Sequence, residues 1–163
     1  MAGLGNVANI LWFKLAVARA RQLGDPLRLA HRVRHLGDAY HYAGRTALAE
    51  PCYVEALSIY RRHEHARPLD LANAIRSLAV LKQEGGAAAE AQRLWQEAHD
   101  LYVGVHAPAG VAESAARLAL LARSQGDLQR SRECLTEALA AANTTDDPET
   151  LQYVRAVTAQ VDR

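Results

Sequence analysis

Apolar residues recur along this chain at intervals of three and four positions, with almost no strict alternation, so the pattern predicts amphipathic helices rather than strands. From Leu36 to Tyr60 the order reads Leu36-Gly37, Tyr40, Gly44, Ala49, Tyr53, Ala56, Tyr60. Forty-two positions on, the same order of small and large residues returns as Leu78-Ala79, Gly86, Ala91, Trp95 and Ala98. A further 40 positions bring Leu118-Ala119, Gly126, Leu135 and Ala138. Gly37, Ala79 and Ala119 on one helix, and Ala49, Ala56, Ala91, Ala98 and Ala138 on the next, leave room where helix backbones cross, while Tyr53, Trp95 and Leu135 fill the space beside each crossing. No single hairpin buries its apolar face alone, so the hairpins must stack.

Breakers divide the pattern into helices. A first helix over Asn6–Gln22 ends at Leu23-Gly24, and Asp25-Pro26 supplies an N-cap followed by proline at the first helical position. The next helix closes near Gly44 and its partner ends by Tyr60; helices Leu69–Glu84 and Ala87–Tyr102 flank the turn at Gly85-Gly86. Pro108 and Gly110 mark a break before Val111–Ser124, which turns at Gln125-Gly126-Asp127 into Leu128–Ala142. Asp147-Pro148 repeats the capping device before a last helix, Glu149–Val161, with Leu151, Val154, Val157 and Val161 on one side. One all-α repeat domain over 1–163 is expected: an N-terminal helix (1–24), three hairpins (25–66, 67–107, 108–146) and a capping helix (147–163).

Composition supports this reading and narrows the partners. Half of the 163 residues are apolar and only 6% aromatic, which favours helices packed through small side chains. A net charge of +1 gives no overall field to attract nucleic acid or an anionic membrane. The first 22 residues lack the basic start of a signal peptide and continue into an amphipathic helix, and no run is long enough to cross a bilayer. Cys52 and Cys134 occupy equivalent positions two repeats apart, too distant for a disulfide between stacked hairpins, which fits a reducing, cytoplasmic setting.

Candidate chemistry is sparse. His31, His35 and Asp38 fall on one side of one helix, with His41 a turn further, a spacing that suits a divalent metal if a second helix supplies another ligand. The bland alternative is a polar wall of ordinary histidines. His63-Glu64-His65 reads as a solvated loop, His99 and His106 stand isolated, and no GxSxG, phosphate-binding loop, dinucleotide-binding or paired-cysteine signature occurs. Ile10, Leu11, Trp12 and Phe13 make the first helix apolar nearly all round, which marks them for self-association as a homodimer unless Met1–Leu4 folds back as a cover.

The order leucine-glycine, tyrosine, alanine, aromatic, alanine over Leu36–Ala56 resembles the tetratricopeptide repeat, and the resemblance extends over Asp25–Ala142. The long period, with AEPCYVEALSIY at 49–60 and PLDLANAIRSLAVL at 68–81, is similar to the kinesin light chain variety. The resemblance implies a right-handed α-α superhelix whose first helices line a concave groove for peptides. That lining maps to His31, Arg34, Asp38 and His41, then Asn73, Arg76, Val80 and Gln83, then Glu113, Ala116, Arg117, Leu120 and Arg123. Kinesin light chains carry asparagines where Arg34, Arg76 and Ser77 stand here. Asp38 and Glu113 would repel a C-terminal carboxylate, which sets the chain apart from the chaperone-tail binders of the family.

The reading that follows is a non-enzymatic scaffold without cofactor, holding a protein or peptide partner in the groove with Arg34 and Arg76 as polar anchors. A sensor domain of a bacterial regulator, taking a short peptide or small ligand, is the alternative, and a metal-dependent enzyme using His31, His35 and Asp38 the remote one.

Overall fold

The computed structural model describes the backbone of residues 2–161 and the side chains from Asn9 onward within that range. Among the described residues eight helices follow one another: α1 (Ala2–Leu23), α2 (Pro26–Tyr42), α3 (Thr46–Arg62), α4 (Pro68–Glu84), α5 (Ala88–Gly104), α6 (Pro108–Ser124), α7 (Leu128–Ala142) and α8 (Pro148–Val161). No strand occurs among the described residues. Helices α2 to α6 each run 17 residues, so two of them with their turns cannot fit a 34-residue repeat. The longer period is the direct result.

Capping chemistry sets the helix starts. The Asp25 and Asp127 carboxylates accept from the backbone N–H groups of Arg28 and Arg130 at 3.0 and 2.9 Å, and Asp147 caps α8 through Glu149 and Thr150. Two boundaries differ from the expected ones by more than two residues. Helix α1 begins at Ala2 rather than Asn6, because nothing in Gly3-Leu4-Gly5 forbids helical backbone. Helix α6 begins at Pro108, which is tolerated in the first turn. Gly110 therefore lies inside a helix and not in a break; a Cβ there would run into the ring of Tyr102.

At the helix ends Gly24, Gly44, Gly86 and Gly126 adopt φ between +67° and +81°, the left-handed turn that glycine allows. His106 takes the same place after α5 with φ +57°. A residue with a Cβ pays roughly 1 kcal/mol there.

The helices group into two compact units, Met1–Gly85 and Gly86–Arg163. In the first, α1 packs on α2, α2 on α3, and α3 on α4, with α2 also touching α4. Its core holds Val33, Tyr53, Ala56 and Ile75, each at most 1% exposed. Gly37 passes so near α3 that a Cβ would lie 2.6 Å from the Tyr53 ring. In the second, α5 packs on α6, α6 on α7, and α8 on both α6 and α7. Trp95, Ala98, Ala119, Ala138 and Val154 are fully buried. The recurring small residues thus sit where expected, at the crossings.

Candidate functional site

Asp38 on α2 gathers side chains from three helices of the first unit. The Arg34 guanidinium pairs with its Oδ2 at 3.0 Å, His35 Nδ1 approaches the same oxygen at 3.3 Å, and the Tyr53 hydroxyl donates to Oδ1 at 3.0 Å. From α4 the Ser77 hydroxyl reaches Oδ1 at 3.3 Å while also lying 3.2 Å from the Asn73 carbonyl. Helices α2, α3 and α4 are therefore tied through one carboxylate. His41 Nε2 adds a second α2–α4 link, 2.7 Å from Glu84 Oε2.

These contacts set the ionisation. Burial works to raise the Asp38 carboxyl, but the His35 hydrogen bond, the Arg34 charge and the Tyr53 hydroxyl together hold it below its ordinary value. Burial, followed by the Asp38 charge and hydrogen bond, pushes the Tyr53 phenol well above its usual range. The His31 imidazole is lowered, first by burial and then by His35, Arg34 and Arg32. The network accordingly favours an ionised Asp38 and a neutral Tyr53.

His31, His35 and Asp38 do come together, but as a hydrogen-bonded chain. Arg34 Nη2 lies 2.9 Å from His35 Nε2. A guanidinium only donates, so this nitrogen accepts and Nδ1 carries the proton toward Asp38. His31 Nε2 lies 3.3 Å from the same acceptor, and the Phe13 ring stacks on His35 at 5.8 Å. The lone pair a metal would need on His35 is thus engaged by a cation. No group of three His, Cys, Asp or Glu among the described residues is placed to hold a metal ion.

His99, isolated in sequence, is not isolated in space. It is buried, with Nδ1 at 3.1 Å from Ser114 Oγ and Nε2 at 3.2 Å from Glu137. Ser114 is fully buried and its hydroxyl donates to the Gly110 carbonyl at 2.7 Å. This Ser-His-Glu arrangement therefore presents no accessible nucleophile; it secures α5, α6 and α7. The i, i+15 spacing of His99 and Ser114 carries no periodic signal that would reveal it. Both cysteines are free. Burial, with Glu55 nearby, pushes the Cys52 thiol up to about 11, which keeps it protonated and unreactive.

In the second unit Arg117 projects from α6 between two rings, its guanidinium carbon 5.7 Å from the Trp95 centroid and 5.3 Å from that of Tyr153. Cation–π contact on both sides fixes a charge that has no hydrogen-bond partner at Nε among the described residues.

Of the expected groove lining, Arg34, Asp38, His41, Asn73, Arg76, Val80 and Gln83 are half-buried in the first unit, and Glu113, Arg117, Leu120 and Arg123 in the second; His31 is exposed. Ala116 is fully buried, because position 116 faces the helix crossing, and it lines nothing. Among the self-association candidates, Ile10 is only 5% exposed and Phe13 lies against His35, since α1 packs that side toward α2. Leu11 and Trp12 alone of the four remain exposed. The cover expected from Met1–Leu4 lies outside the described side chains.

Each unit also holds a cleft beside its interhelical turns. The first, of about 480 Å³, includes Arg21, Gly24, Asp25, Pro26, Leu29, Ile59 and Arg62 in its lining. The second, of about 420 Å³, is lined by Val103, His106, Ala107, Pro108, Val111, Ala141 and Thr144. These seven pairs are related residue for residue by two repeat lengths.

Comparison with known proteins agrees with this repeat geometry. The family model described as Tetratricopeptide repeat matches residues 35–63 and 112–145. No curated protein sequence matches the chain. Among solved structures, BtubC (BKLC) from P. vanneervenii is similar with TM-score 0.78 and 22% identity, over 96% of this chain and 65% of that one. The apo form of RapI is similar with TM-score 0.79 and 15% identity, over 95% of this chain and 58% of that one. The chain thus spans less than two thirds of the length of either. Among the described residues no helix is long and apolar enough to cross a membrane. Helical hairpins thus recur in register with glycine or alanine at the crossings, two stretches match the tetratricopeptide-repeat family model, and the fold is that of these solved helical-repeat structures.

Proposed function

We propose that the protein is a binding scaffold whose units each hold a peptide segment of another protein against their first helices, α2 and α4 in the first unit and α6 in the second. The observation that carries this reading is the state of the charged side chains on those helices. Three of them are half-buried and already fixed, Arg34 and Asp38 to each other and Arg117 between Trp95 and Tyr153. A surface ordered in advance loses little entropy when a partner arrives. Arg34 is committed to Asp38 and serves to build the face. Arg117 is the anchor for a carboxylate or backbone carbonyl on the face of the second unit, and the half-buried Arg76 on that of the first.

A peptide library selected on the wild-type chain tests the proposal. The selected peptides should bind an Arg76→Ala/Arg117→Ala variant roughly tenfold or more weakly, with its helical content unchanged. Peptides that bind both proteins equally would place recognition elsewhere.

A further inference from the structure

Helix α1 buries one side and exposes the other, and both sides are apolar. Ile10, Val17 and Ala20 are buried, whereas Leu11, Trp12, Leu15 and Leu23 stand 59%, 54%, 64% and 53% exposed. Four large apolar side chains on one helix exceed the scatter of a normal surface. Beside them α1 and α2 form a cleft of about 170 Å³. Trp12, Ala16, Ala20 and Leu23 make its wall, and Arg19, Arg28 and Arg32 its rim.

Charge identifies the occupant. Helix α1 carries Lys14, Arg19 and Arg21 and no carboxylate. Arg21 is engaged by Glu55 at 2.7 Å, but among the described residues the Arg28 guanidinium has only a 3.5 Å contact with Asp25. Arg32 lies over the Trp12 ring at 5.5 Å. Arg19 makes no hydrogen bond or ion pair among the described residues. The excess extends along the chain, since residues 1–45 hold seven basic and two acidic residues and the remainder twelve and sixteen. Two copies meeting through α1 would oppose these arginines with no carboxylate on either helix, an arrangement that like-charge repulsion disfavours. An anionic bilayer suits basic, apolar helices, but Trp12 is held beneath Arg32 and edge-on to Phe13 at 4.8 Å. Inserting it would carry a guanidinium into hydrocarbon.

We infer that α1 and the adjoining side of α2 dock an acidic amphipathic helix of a partner protein. Its apolar side chains cover Leu11, Trp12 and Leu15, and its carboxylates meet Arg19, Arg28 and Arg32, the helix-in-groove mode of recognition. This surface is separate from the peptide face proposed above.

The probe is a labelled synthetic helix of about four turns, with leucine at i, i+3, i+4 and i+7 and glutamate elsewhere, paired with a version bearing lysine for glutamate. Fluorescence anisotropy with the full chain should show the glutamate peptide binding and the lysine peptide not. Affinity should fall with added salt and roughly tenfold or more in Arg19→Glu/Arg28→Glu and in Leu15→Asp. All three sites are exposed, so circular dichroism should show an unchanged fold. The inference is overturned if the glutamate peptide fails to bind, if the lysine peptide binds equally, or if either variant binds as wild type does. It is overturned also if phosphatidylglycerol vesicles pellet the chain through Leu15, or if sedimentation shows a dimer that Leu15→Asp dissolves.

Discussion

Asp38 illustrates how one carboxylate can organise several helices. Its side chain is only 23% exposed and that of its partner Arg34 only 15%, so removing the acid strands a desolvated guanidinium as well as two hydroxyls. Asp38→Ala should lower unfolding stability by roughly 2–3 kcal/mol, read from the midpoint of urea denaturation. The neighbouring His31 predicts a pH effect of definite sign. Its imidazole is held below the ordinary value in the folded chain, so the unfolded chain takes up the proton more readily. Stability present above about pH 6.5 is then lost as pH falls through that value toward the depressed folded one. The groups facing His31 are His35, Arg34 and Arg32, which lower it, and Asp70, which raises it. Stability measured against pH should slope less in His31→Gln than in wild type over this window. Asp38, also depressed, adds a loss only at the more acid end, below about pH 4. At His106 the strain is in the backbone. His106→Gly should raise stability by about 0.5–1 kcal/mol, because it supplies at α5 the residue that α1, α2, α4 and α6 already have after their ends.

At the level of helices, close approach governs. Gly37→Ala would place a methyl 2.6 Å from the Tyr53 ring and 3.2 Å from Cys52 Cβ. Overpacking of this kind costs roughly 1–3 kcal/mol, and here it would also disturb the Tyr53 bond to Asp38. Gly37→Ala should therefore be clearly less stable by thermal unfolding, with a weakened Asp38 network. Much of this level was legible in advance, since the small residues at 37, 49, 56, 79, 91 and 98 mark crossings through their register alone. What was not legible depends on side-chain direction between helices. Periodicity places His31, His35 and Asp38 on one side of α2, but not the Arg34 contact that converts a metal-like set into a hydrogen-bonded chain. Nor does it reveal Ser114 and Glu137 around His99, because those partners come from two other helices at spacings without a repeat. Gly110 looked like a break because glycine serves both turns and close contacts, and only the Tyr102 ring distinguishes them.

For the molecule as a whole, stability in a repeat array is shared among neighbours. Helix α8 contributes Val154, Val157 and Val161, all buried, and it packs on α6 and α7. Val154→Ala should cost about 2 kcal/mol, and hydrogen exchange should show the amides of α7 and α8 opening first. The repeat and the all-helical class could be read from the sequence because both depend on spacing that recurs three times. The uneven distribution of charge could not be read from the net value, since a basic beginning and a more acidic remainder nearly cancel.

The paired clefts beside the turns separate shape from chemistry. Arg21 in one stands where Val103 stands in the other, and Arg62 where Thr144 stands; backbone register hollows the socket, while its lining is free to drift. Evolution, or an engineer, can therefore rewrite what such a socket prefers without renegotiating the architecture. Val103→Arg/Thr144→Arg should melt within a few degrees of wild type, because both positions are solvent-facing and substitutions there shift stability by only about 0.5 kcal/mol each.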